Sequence, residues 1–124
     1  MPAFDADRVS HTVSHALAGP GGIAWVINVF AGLPGVTHTA ARRGIFTSQP
    51  ARLQIGDWRY EVTPDHRLMA AHVVGGIVIG EEALLADAVG PHLARSLEQL
   101  VARHGASVVL QIDAAVDALS AGAG

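Results

Sequence analysis

Two groups of residues in this chain have the types and spacing for chemistry. Asp7, His11 and His15 recur at one-turn intervals, so on a helix they share one face. Imidazole and carboxylate suit zinc and related ions, which makes this trio a candidate metal site. No glutamate stands between the histidines, so it is not the general-base motif of metalloproteases. The competing reading is a solvated helix face. The second group is Trp58, Tyr60 and His72. Two aromatics at i and i+2 share one face of a strand, and a half-buried histidine titrates near neutrality. Together they are candidates to line a pocket for a small apolar ligand. The competing reading is that they are the sheet's share of the core. His66 follows Asp65 in a turn, and His38, His92 and His104 fall at element edges with no pattern.

No catalytic residues are assigned. The chain has no cysteine, which excludes disulfides, thiolate nucleophiles and Cys-ligated zinc. It has no lysine either, so neither a Schiff base nor a P-loop lysine is possible. Gly19-Pro20-Gly21-Gly22 lacks phosphate-loop spacing, and no G-x-S-x-G elbow occurs. No cofactor is implied. The net charge of −3 argues against a dedicated nucleic-acid binder.

Elements must position these groups. The segment 5–18 reads as an amphipathic helix with Asp5 as N-cap and a Val9/Val13/Leu17 stripe, stopped by Gly19-Pro20-Gly21. Residues 22–33 read as a buried helix, although their β-branched content also fits a strand. Val36 to Arg43 reads as a first strand. Ala51–Ile55 and Trp58–Val62 flank Gly56-Asp57, a two-residue hairpin connection. One register puts Ile55, Leu53 and Ala51 opposite Trp58, Tyr60 and Val62 on an apolar face. The same register sets Arg52 opposite Glu61 as a cross-strand ion pair. Thr63-Pro64-Asp65-His66 reads as a second turn. A long strand is expected from Arg67 to Ile79, with Gly75-Gly76 as a bulge or close backbone approach.

From Glu81 the pattern reads as helical, with Gly90-Pro91 as a break. The next helix, with Leu93, Leu97 and Leu100 in its stripe, ends at His104-Gly105. A last helix, 107–120, carries Val108, Ile112 and Val116, and a frayed tail is expected over 120–124. Strands and helices are segregated, so the expected fold is a single α+β domain over 1–124. It has N-terminal helices, a three- or four-stranded antiparallel meander and C-terminal helices packed on one face.

Hydrophobic residues make up 50% of the chain and charged residues 15%, against about 25% in ordinary soluble domains. So few charges cover a surface poorly. The two C-terminal stripes, Leu93/Leu97/Leu100 and Val108/Ile112/Val116, are therefore expected to meet a partner, most simply in a homodimer. Charge is also divided: residues 36–67 carry five arginines against three carboxylates, and residues 68–124 two against six. That suits an acidic protein partner or head-to-helix self-association. The leading functional expectation is a non-enzymatic oligomerising or partner-binding protein. The alternatives are a small apolar-ligand-binding protein or enzyme with a pocket between sheet and helices, and a metal-binding protein through the helical histidine pair. The Ala/Gly/Val-rich, arginine-only composition resembles that of a high-GC actinobacterial genome. No apolar run approaches the roughly 20 residues of a membrane helix, and no secretory signal is seen, so the cytoplasm is expected.

Overall fold

The computed structural model describes residues 4–19, 22–39, 42–43, 48–49, 52–63 and 67–123. Helix α1 spans Ala6–Leu17, and α2 spans Gly22–Phe30. The Asp5 side chain caps α1 by accepting the Arg8 backbone N–H at 3.0 Å, an interaction worth about 1 kcal/mol. The β-branched residues of 22–33 sit in a helix because Val26, Ile27 and Phe30 all reach the core.

Strand β1 (Val36–Thr39) stops short of the expected end. Arg42–Arg43 (β2) pairs instead with Ser48–Gln49 (β3) in a separate two-stranded ladder. Strands β4 (Arg52–Ile55), β5 (Trp58–Val62), β6 (Leu68–Val74) and β7 (Ile77–Leu84) follow. The main sheet has five antiparallel strands in the order β1-β4-β5-β6-β7, one more than the upper expectation.

The hairpin register read from the sequence is the one observed. Ile55 pairs with Trp58, Leu53 with Tyr60 and Arg52 with Glu61. The Arg52 Nε–Glu61 Oε1 ion pair closes at 2.8 Å. Gly56 takes the positive φ that a tight connection requires. Ala51 and the turn residues Pro64, Asp65 and His66 lie outside the described residues.

Three boundaries differ from expectation. Gly75-Gly76 is not a bulge within one strand; it is the turn between β6 and β7, with φ of 59° and 81°. Two adjacent positive-φ residues form the tight turn that right-twisted hairpins favour. The bulge lies elsewhere, where the register shifts between His72 and Val73. Glu81 and Glu82 belong to β7 rather than a helix. The helix α3 begins later, at Ala86, and runs to His104.

Gly90-Pro91 does not break α3. Proline removes one backbone bond, but Val89, Leu93, Leu97 and Leu100 anchor the helix in the core. Gly90 is the point where α3 crosses α1. A Cβ there would lie 2.5 Å from the Ser10 carbonyl oxygen and 2.7 Å from Ser14 Oγ. The last helix, α4, spans Ser107–Ala123 and so continues through most of the tail expected to fray.

The pairings carry the sheet's share of the main apolar cluster onto one face. One row runs Ile55–Trp58–His72–Gly80, and the next Leu53–Tyr60–Ala70–Glu82. Leu53, Ile55, Tyr60, Leu68, Ala70 and Leu84 join side chains from all four helices in a single apolar cluster. Both C-terminal stripes are inside it. Leu93, Leu97, Leu100, Val108, Ile112 and Val116 are each at most 3% exposed. The chain's own α1, α2 and sheet cover the surface that the composition offered to a partner.

Exposed apolar area concentrates instead at the far end of the sheet. Val74, Ile77, Val78 and Ile79 of the β6–β7 hairpin are 41–67% exposed. β7 is also the last strand of the sheet, and no strand among the described residues pairs with its outer edge.

Candidate functional site

The centre of the site is Tyr60, on the helix-facing side of β5. Its ring is fully buried, so its hydroxyl needs partners inside the protein. α3 supplies them from successive turns. The Tyr60 hydroxyl lies 2.7 Å from His92 Nδ1 and also hydrogen-bonds Ser96 Oγ. The positions i and i+4 put both α3 side chains on the face that meets the sheet. Burial pushes the Tyr60 phenol well above its ordinary range, against the pull of Ser96 and Arg95. Burial also holds His92 below the ordinary imidazole value, and the Arg95 charge adds to this. The nearby Glu82 carboxylate works the other way. At neutral pH His92 is therefore an uncharged ring fixed by Tyr60 through one nitrogen. Its other nitrogen, Nε2, makes no hydrogen bond among the described residues.

Trp58 stands beside this ring. Its indole stacks on His72 at 4.7 Å between centroids and meets His92 edge-on at 4.4 Å. His72 is its neighbour across the β5–β6 pairing, which fixes the stack. Beyond Trp58 the sheet turns small. Ala70 lies between Tyr60 and Glu82, and Gly80 faces His72. Two large side chains followed by two small ones leave a hollow. It opens on either side of Trp58 and Glu82 as lobes of about 310 Å³ and about 300 Å³. The first lies against β6 and β7; the second lies under α3, lined by His92, Arg95 and Gln99. Each is at the lower end of the range for small-molecule sites.

The structure thus brings Trp58, Tyr60 and His72 into one cluster. Trp58 and His72 line the hollow, while Tyr60 supports it from below. His92, Ser96, Glu82 and Arg95 complete the cluster, and sequence reasoning missed them. The available signal was His92, Arg95 and Ser96 at i, i+3 and i+4, polar residues adjoining the Leu93/Leu97/Leu100 stripe.

Asp7, His11 and His15 are all exposed on α1. Among the described residues, no group of three metal-ligating side chains is held in place to bind an ion. Two arginines are tied into the fold beside Arg52: Arg8 to Asp113 and Asp117, and Arg103 to Asp57 at 2.9 Å. No helix among the described residues is long and apolar enough to cross a membrane.

A family model described as a domain of unknown function (DUF5073) matches residues 1–121. Neither curated proteins nor solved structures give a match to the chain.

Proposed function

The chain belongs to the DUF5073 family, and from that starting point we propose that it is a non-enzymatic binding protein whose site is the cleft around Trp58. The observation that carries this is the Tyr60–His92 hydrogen bond beneath an open, aromatic-walled hollow. A buried phenol and a serine hold one imidazole in a fixed pose at the cleft wall. Such fixed polar groups in a largely apolar hollow are what ligand sites use to orient their guests. Catalysis is disfavoured by burial. Ser96 and Tyr60 are 1% and 0% exposed, so neither hydroxyl reaches a substrate. Screening a fragment library by ¹H–¹⁵N NMR tests the reading. Hits are expected to move the signals of Trp58, His72, Gly80 and His92 together. A separate hollow of about 300 Å³ lies between Leu17, Ile23, Leu84 and Leu85; hits confined to it, or none at all, refute the reading.

A second reading, self-association, is favoured by the β6–β7 hairpin. An unpaired, apolar edge strand invites pairing with another strand. The partner we propose is a second copy, paired antiparallel through β7. A two-fold axis at Val78 sets Ile77 against Ile79 of the second copy. Glu81 and Glu82 then fall beyond the paired stretch, opposite the glycine turn rather than each other. This keeps the homodimer suggested by composition but moves it from the helices to the sheet edge. Light scattering coupled to size exclusion distinguishes dimer from monomer at micromolar concentration, and a clean monomer rejects it.

A further inference from the structure

The charges in the cleft point to the class of ligand. Arg95 lines the α3 lobe with Gln99, and Glu82 lines both lobes. Both lie close enough to His92 to bias its proton, in opposite directions. Yet no ion pair joins them, and among the described residues neither side chain makes a hydrogen bond or salt bridge. Two opposite charges at one cleft would ordinarily be drawn together. Here Glu82 is carried by strand β7 and Arg95 by helix α3, and both line the same lobe beside Trp58.

A guest with a single charge answers one of these groups and leaves the other idle. A guest carrying both charges answers both and places its remaining atoms on the apolar wall of Trp58, Ala70 and Ile79. Resting on the reading of the cleft as a binding site, we infer that its ligand is a zwitterionic small molecule of amino-acid size. Its carboxylate meets Arg95 and the Gln99 amide. Its ammonium group meets Glu82, with Glu81 close by on the same strand. An arginine fork and a carboxamide are suited to a carboxylate, and a carboxylate to an ammonium donor. The volume of each lobe, about 300 Å³, accommodates a guest of single-residue size.

The test titrates three probes of one carbon skeleton into the ¹⁵N-labelled protein while the Trp58 indole N–H signal is followed. L-leucine carries both charges, 3-methylbutylamine only the ammonium and 4-methylpentanoate only the carboxylate. L-leucine, or glycine or L-phenylalanine run beside it to allow for side-chain preference, is expected to bind at least about tenfold more tightly than either singly charged probe. Glu82→Gln should weaken the amino acid about tenfold and leave 4-methylpentanoate unchanged. Arg95→Gln should weaken it similarly and leave 3-methylbutylamine unchanged. Both residues are exposed, so melting temperatures should match the wild type. If a singly charged probe binds as tightly as the amino acid, the ligand class is wrong and the cleft reading survives. If no probe moves the Trp58 signal and uncharged apolar fragments do not either, both fall.

Discussion

Replacing Tyr60 with Phe removes one oxygen and tests whether the site is held together as described. The hydroxyl bonds His92 Nδ1 at 2.7 Å and Ser96 Oγ as well, on a side chain that is fully buried. Phenylalanine keeps the ring packing but strands an imidazole nitrogen and a hydroxyl, which are 6% and 1% exposed by residue. Leaving buried polar groups without partners costs about 1–3 kcal/mol. For a domain of this size that corresponds to a fall in melting temperature of very roughly 3–12 °C. Ser96→Ala made in the Tyr60→Phe background removes one of the two stranded groups. It should therefore destabilise far less there than in the wild type. Thermal and urea unfolding of the four proteins gives the coupling energy directly, expected at about 0.5–3 kcal/mol. A Tyr60→Phe loss under about 0.5 kcal/mol, or additive effects of the two changes, would show that the hydroxyl is solvated and that nothing fixes His92.

Other consequences follow from the same packing. Gly90→Ala gains roughly 1 kcal/mol of helix propensity, yet its Cβ would sit 2.5 Å from a backbone oxygen of α1; the clash should win, and chemical denaturation should show a net loss of about 1–3 kcal/mol. His92 is held below its unfolded value near 6.5, so the unfolded chain binds its proton more readily. Its contribution to stability is then complete above about pH 6.5 and is lost as pH falls through its lower folded value; His92→Gln should flatten that arm of the melting-temperature profile. Tyr60 is held above its unfolded value near 10, so its contribution is complete below about pH 10 and is lost above that, and Tyr60→Phe should resist alkaline unfolding relative to its own neutral-pH stability. Trp25 Nε1 is buried with no hydrogen-bond partner among the described residues, so Trp25→Phe should cost less than the roughly 1 kcal/mol of a typical core change in urea unfolding and leaves Trp58 as the sole tryptophan. Ile79→Lys puts a charge on the open edge of β7 and should shift any dimer to monomer in sedimentation, with the melting temperature of the monomer unchanged.

The sequence was most informative where neighbours in the chain are neighbours in space. Leu53 and Tyr60 pair across a two-residue turn, so alternation, turn chemistry and the Arg52–Glu61 charges all specified one register. Helix stripes were equally legible, including Val108/Ile112/Val116, but a stripe says only that something covers it. Here the cover is α1, α2 and the sheet, and the apolar excess emerges at Ile77–Ile79 instead. The Val73–Ile79 run hid its turn because no polar alternation marks where β6 ends; only the glycine pair did. Glu81 and Glu82 imitate a helix start, yet both belong to edge strand β7, where Glu82 lines the cleft. Gly90-Pro91 carries a local stop signal that the α1–α3 crossing overrides, because the missing Cβ is what lets the helices approach. His92 was invisible for a different reason. Its partner, Tyr60, is 32 residues away, and no local pattern announces a hydrogen bond between a strand and a helix.

The binding site exists only if burial keeps His92 uncharged and Tyr60 fixes its ring at the wall of the Trp58 cleft, and the ring nitrogens of His92 report both directly. A ¹⁵N titration of the seven histidines should show His92 titrating below the ordinary imidazole range, with its Nδ1 signal displaced by Tyr60→Phe. An imidazole that titrates at the ordinary value and ignores the loss of the phenol would contradict the site at its foundation.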